Sequence, residues 1–149
     1  MAKIQIIVGS VNGTAHKTAM AVAHVLNHQG HDAWVNLEPN RDALEKDSSE
    51  ALLVCCSTTG EGELPRNIYP VYLALDDQAV DIKDRKYGVI ALGDSGYTYF
   101  ALAGFMMENV FYLSGAKRVG EVLTLDAKKV TNPSLEAAQW ATEWVENIA

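Results

Sequence analysis

Cysteine is scarce in this 149-residue chain: there are two, and they are neighbours, Cys55 and Cys56. Adjacent thiols in an apolar run offer neither a disulfide framework nor the paired spacing of a zinc site, so a reducing compartment is expected. Neighbours on a strand point to opposite faces, which favours two packed side chains over a redox pair. Positive charge is also short. Twelve Lys and Arg against nineteen Asp and Glu leave a formal charge of -7, which argues against non-specific nucleic-acid binding and against an anionic membrane surface. Such a surface suits a basic protein partner. No apolar run approaches a membrane span, and the Met1-Ala2-Lys3 start has no signal-peptide pattern. No repeat, low-complexity tract or linker divides the chain. The expectation is one cytoplasmic, monomeric domain over residues 1–149, with 48% apolar residues to fill a core.

What is there is alternation. Ile4 to Val8 reads as a buried strand. Ala15, Ala19, Val22, Ala23 and Leu26 follow at helical spacing, with Gly30 placed as a C-terminal cap. Asp32 to Leu37 is a second strand, and Glu38 to Glu50 a loop or short irregular helix. Ala51 to Cys56 is a third, central strand, apolar on both faces. Ile68, Val71, Tyr72 and Leu75 give a helical face, and Pro70 fixes that helix's start near Ile68. Tyr87 to Leu92 is a fourth strand. A helix with Leu102, Phe105, Met106, Asn109 and Leu113 on its inner side comes next, closed by Ser114-Gly115. Arg118 to Leu125 reads as a fifth strand, and a last helix over Ser134 to Ile148 buries Ala138, Ala141, Trp144, Val145 and Ile148. Strands and helices alternating at these lengths imply a parallel sheet covered on both faces.

Polar, glycine-bearing turns follow strands one, three and four, where ligands of such sheets bind. The first, Gly9 to Ala15, aims backbone N–H groups and a helix dipole at one point, with Ser10, Asn12 and Thr14 adding short polar side chains; it is a phosphate cradle or an ordinary capped turn. Lys17 is turned away from it by helical geometry. The second, Ser57 to Pro65, offers N–H and C=O groups that suit the polar edge of a flat heterocycle. The third, Gly93 to Tyr97, brings an aromatic ring that can stack on its face. Together they describe a mononucleotide. A P-loop is excluded because Gly13 is followed by Thr14-Ala15 and not by Lys, and a receiver domain because Gly9-Ser10 and Ser57 stand where it needs acids. His24 and His28 lack a third ligand and are assigned to a solvated helix side.

Ser10-Val11-Asn12-Gly13-Thr14-Ala15, Ser57-Thr58-Thr59-Gly60-Glu61-Gly62-Glu63 and Leu92-Gly93-Asp94-Ser95-Gly96-Tyr97-Thr98-Tyr99-Phe100 resemble the three FMN loops of flavodoxins. The resemblance covers essentially the whole chain, and the chain is most similar to short-chain, MioC-type flavodoxins and to the FMN domains of diflavin reductases. It implies an α/β flavodoxin-like three-layer sandwich, with a five-stranded parallel sheet of order 2-1-3-4-5 and helices on both faces. It implies one non-covalent FMN. By position, Ser10, Val11, Asn12, Gly13, Thr14 and Ala15 match the phosphate-holding residues. Thr58, Thr59, Gly60 and Glu61 match the inner ring loop. Gly93, Asp94, Tyr97, Tyr99 and Phe100 match the outer one, with Tyr97 as the stacking tyrosine and Tyr99 and Phe100 expected to pack beneath it. Asp126 lies near a carboxylate that borders the flavin. Asn12 replaces a common threonine. Thr59 replaces a common Trp or Tyr, which leaves stacking to one side and forgoes roughly 0.5–1.5 kcal/mol.

The implied function is that of a one-electron carrier between a flavoprotein reductase and an acceptor enzyme, with no catalytic residue and no metal. Gly60 can flip its peptide so that its carbonyl accepts a proton from the reduced ring. Glu61, Glu63 and Asp94 add negative charge. At an effective dielectric of about 20, one such charge roughly 8 Å away costs about 2 kcal/mol, or about 90 mV in a one-electron couple. Two alternatives stand beside the carrier: a small FMN-dependent reductase acting directly on quinones or nitro compounds, and a flavin-free interaction module on the same fold.

Overall fold

The computed structural model describes residues 1–148. Strand β1 (Lys3–Gly9) runs through the middle of a parallel sheet, flanked by β2 (Asp32–Asn36) and β3 (Ala51–Cys56). Beyond β3 lies β4 (Lys86–Gly93), and β4 in turn pairs with β5 (Lys117–Arg118) and β6 (Leu123–Asp126). The order is therefore the 2-1-3-4-5 of a flavodoxin-like fold, with the fifth position shared by two short strands. Every residue of β3 is buried, as expected for a strand covered on both faces.

Helices α1 (Thr14–His28) and α5 (Pro133–Glu146) cover one face. Their inner residues, among them Ala19, Val22, Leu26, Ala141 and Trp144, pack with Ile4, Ile6, Val8, Leu53 and Cys55. Helices α2 (Arg41–Glu45), α3 (Tyr69–Asp76) and α4 (Leu102–Leu113) cover the other, against Ile7, Leu52, Val54, Cys56 and Tyr87. Cys55 and Cys56 thus enter different cores. Burial pushes both thiols up, Cys56 to about 12, and neither is in a disulfide. His24 and His28 lie exposed on α1 with their rings 6.4 Å apart. Among the described residues no helix is long and apolar enough to cross a membrane.

Three sequence expectations need correction. The single strand over Arg118 to Leu125 is broken: Gly120 takes a left-handed φ of 74°, and the chain leaves the sheet between Arg118 and Leu123. At the level of this break the Trp144 ring lies against Gly88, where an added Cβ would meet Nε1 at 2.5 Å. The inner side of α4 is also different. Ala103, Gly104, Met107, Val110 and Phe111 are buried, whereas Leu102, Phe105, Asn109 and Leu113 face outward and Met106 is half-buried. In α5 the buried set is Ala137, Ala141, Trp144 and Val145, with Ala138 only half-buried, and the helix ends at Glu146, short of the half-buried Ile148. The segment left open between Glu38 and Glu50 contains α2, whose Asn40 side chain accepts from Ala43 N–H.

Candidate functional site

The turns leaving β1, β3 and β4 and the segment after β6 enclose a cavity of about 480 Å³ at the carboxyl edge of the sheet, within the size range of small-ligand sites. The first turn is built for an anion. Gly13 adopts φ 87°, a left-handed conformation natural to glycine, and so ends the turn directly into α1. Its N–H donates to Ser10 Oγ at 3.0 Å. Ser10 N–H in turn donates to Asn67 Oδ1 at 3.0 Å, while Asn67 Nδ2 donates to Val8 and Leu37 carbonyls. No side chain caps α1, and its first turn holds no acid. Its leading N–H groups and dipole therefore stay available beside Val11, Asn12 and Thr14, which line the cavity.

The second turn is closed by Thr59. Its hydroxyl donates to Glu63 O at 3.2 Å and accepts from Glu63 N–H at 3.1 Å, and its carbonyl accepts from Gly62 N–H at 2.9 Å. Thr58 Oγ1 accepts from Ala103 N–H at 3.2 Å, which ties the turn to α4. Gly60 is exposed at the tip, outside the left-handed region, and a Cβ there would touch nothing within 4 Å. The observed conformation thus has no steric need of glycine at 60.

The third turn hangs on two carboxylates. Within it, Asp94 O accepts from Tyr97 N–H at 3.0 Å and Asp94 Oδ1 from Gly96 N–H at 2.8 Å. From the neighbouring strand, Asp126 Oδ1 accepts from Ser95 N–H and from Lys128 N–H, both at 3.0 Å. Burial works against ionisation of Asp126, but the Ser95 amide and hydroxyl, the Lys128 amide and Lys129 outweigh it and hold its carboxyl below the ordinary range. Tyr97 and Tyr99 stand at the rim, 59% and 49% exposed. Behind them Ala101 takes a left-handed φ of 54°, a strained choice for a residue with a Cβ, at the point where Gly93 lets the two backbones approach.

Of the residues expected at the site, Val11, Asn12, Thr14, Thr58, Thr59, Gly60, Gly93, Asp94, Tyr97, Tyr99 and Asp126 line the cavity. Five take other places. Ser10 and Gly13 brace the first turn through the bond between them. Ala15 is buried between α1 and the sheet, where its carbonyl accepts from Cys55 Sγ. Glu61 is exposed, and half-buried Phe100 packs on the core under α3 and α4. Tyr99 is at the rim and not beneath the loop. Sequence reasoning missed Asn67, the brace of the first turn, and the wall made by Ala127, Val130 and Pro133. The wall residues follow β6 directly, so their position after a strand end was a usable signal. Asn67 gave none.

The sequence model of the flavodoxin family matches residues 6–140. The chain belongs to the flavodoxin family. It is 36% identical to Flavodoxin YqcA of Pectobacterium carotovorum, over 99% of this chain and 98% of that one. To Protein MioC of Escherichia coli it is 33% identical over 97% of each. A substituted form of flavodoxin from Pseudomonas aeruginosa superposes with a TM-score of 0.91 at 36% identity, covering 98% of both chains. This is a short-chain flavodoxin of the MioC type, and its cofactor is FMN. The site of this flavodoxin fits that group on its own geometry: an uncapped helix start for the phosphate, two polar turns and a tyrosine rim for the ring.

Proposed function

We propose that this flavodoxin is a cytoplasmic, monomeric one-electron carrier that receives electrons from a flavoprotein reductase and passes them to an acceptor enzyme, without turnover of its own. The observation that carries the reading is the rim: Val11, Tyr97 and Tyr99 are each about half exposed or more around the cavity mouth, and the exposed Glu61 and Glu63 stand on the turn leaving β3. An accessible apolar edge with carboxylates near it, on a chain of charge -7, suits transient docking of a basic protein.

Bound FMN supplies one-electron redox chemistry; the chain's residues supply binding and position. Asn12, Thr14 and the N–H groups at the start of α1 hold the phosphate, with Ser10, Gly13 and Asn67 fixing the turn that presents them. Thr58 and the backbone of Thr59 and Gly60 border the inner side of the ring. Gly93, Asp94 and Tyr97 would border the outer side, with Tyr97 as the side chain to stack on it. Gly60, exposed at the tip of its turn, would be free to rotate its peptide and offer its carbonyl to the ring.

The deciding experiment mixes the FMN-loaded protein with NADPH, an NADPH-dependent flavoprotein reductase and cytochrome c. Cytochrome reduction that needs all components, and that slows at least several-fold between 50 and 500 mM salt (order-of-magnitude concentrations), is the expected result. NADPH oxidation by the protein alone would instead make it a reductase in its own right.

A further inference from the structure

Asp126 ends β6 opposite Gly93, and the residue is 8% exposed. A carboxylate whose part was only to border the ring would act by its charge. The hydrogen bonds describe a different task. The third turn closes on itself through Asp94 O and Tyr97 N–H, which leaves Ser95 N–H as the donor the turn cannot satisfy internally. Asp126 Oδ1 takes it, and the same oxygen takes Lys128 N–H. Asp126's own carbonyl accepts from Lys129 and Val130 N–H groups, and Ala127 N–H donates to Gly93 O. The carboxylate thus sits at the crossing of the turn that carries Tyr97 and the segment that forms the opposite wall of the cavity.

We propose that Asp126 is a positioning residue: its acceptor oxygen holds the Ser95 end of the turn so that Tyr97 lies over the cavity, and its part in retaining FMN runs through Tyr97. The inference rests on the reading of Tyr97 as the stacking side chain. It separates two roles that a sequence cannot, since both need only an aspartate after the last strand. If charge is the point, Asn at 126 is as harmful as Ala. If the acceptor is the point, Asn keeps an oxygen for Ser95 N–H and recovers the function. The bond can also be cut from its other end. Ser95 occupies the second position of the turn, where proline is favoured, and Ser95→Pro deletes both the N–H and the hydroxyl that face Asp126 while leaving the carboxylate in place, with Ser95→Ala as the control that removes the hydroxyl alone.

The test is a set of FMN fluorescence titrations on apo-proteins whose folding is checked by thermal unfolding. Asp126→Ala and Ser95→Pro are each expected to raise the dissociation constant about three- to tenfold, the worth of one aromatic contact. Asp126→Asn is expected within about twofold of the starting protein. In a Tyr97→Ala background, adding Asp126→Ala changes the constant by less than about twofold, because the two act as one unit. The proposal is overturned if Asn weakens binding as much as Ala, if Ser95→Pro binds normally, or if the Asp126→Ala effect survives undiminished without Tyr97. Should Tyr97→Ala alone leave affinity unchanged, the stacking assignment fails first and takes this inference with it. Should Asp126→Ala not fold, Ser95→Pro with and without Tyr97→Ala makes the same comparison.

Discussion

On the proposed reading Thr59 stands where a second aromatic ring would complete a sandwich around the flavin, and its hydroxyl supplies a reason for its presence. Both hydroxyl bonds go to the Glu63 backbone and close the turn whose tip is Gly60. Thr59→Val keeps the shape and removes both bonds. At about 0.5–1.5 kcal/mol for a net hydrogen bond, FMN affinity should fall roughly three- to tenfold, while Thr59→Ser should stay close to the starting value; fluorescence titration reads both. Equal affinity in all three would mean that the turn keeps its form without the side chain. The role was not legible in the sequence, because the partner is backbone and carries no side-chain signal. The same holds for Asn67, whose partners Val8 and Ser10 lie more than fifty positions earlier in the chain. By contrast the place where α1 starts was legible, since the polar turn Ser10 to Thr14 separates an apolar strand from the helical spacing of Ala15, Ala19 and Val22; that no side chain caps it was not.

At the level of elements, α4 is the piece on which two turns depend. Its first turn receives Thr58, and its inner face meets β4 through Gly104, where an added Cβ would collide with Ala91 Cβ and approach its Cα to 2.8 Å. Gly104→Ala therefore overpacks a helix–strand contact, an error worth about 1–3 kcal/mol. The expected result is a melting temperature lower by roughly 3–10 °C, with weaker FMN binding as α4 moves away from Thr58. An unchanged melting temperature would mean that helix and strand separate at no expense. Periodicity missed this face for a physical reason. Almost every residue from Leu102 to Leu113 is apolar, so no polar side marks the outside, and the small residues that allow close approach look less like core than Leu102 or Phe105. The broken fifth strand was hidden in the same way, because Val119, Val122, Leu123 and Leu125 read as one apolar strand while only the left-handed Gly120 interrupts it. Where hydrophobicity stops abruptly, as at both ends of β3 and β4, strand limits fell within a residue of the reading.

For the molecule as a whole, stability toward acid is set by carboxylates that the fold keeps ionised. Ser49 hydroxyl and N–H, with Lys3 beside them, hold Asp47 below its ordinary range, and Asp126 is held low by the amides named above. A folded-state value below the unfolded one, about 3.9, adds stability that is complete above that pH and is lost as pH falls through the folded value. The urea midpoint should therefore be level above about pH 5 and drop below about pH 4. Asp47→Asn should flatten that drop, and a midpoint that rises on acidification would contradict the assignment.

The strand order carries a consequence for biosynthesis. After β1, each later strand adds to an outer edge of the sheet: β2 on one side, then β3, β4 and the β5–β6 pair on the other. No strand has to insert between neighbours already joined, so the sheet can grow as the chain leaves the ribosome. The cavity cannot. Its walls run from Val11 to Pro133, and the wall after β6 closes last. A nascent chain stalled before that point holds all three turns but lacks both the wall of Ala127, Val130 and Pro133 and the Asp126 carboxylate that braces the third turn, so cofactor capture waits for the segment after β6.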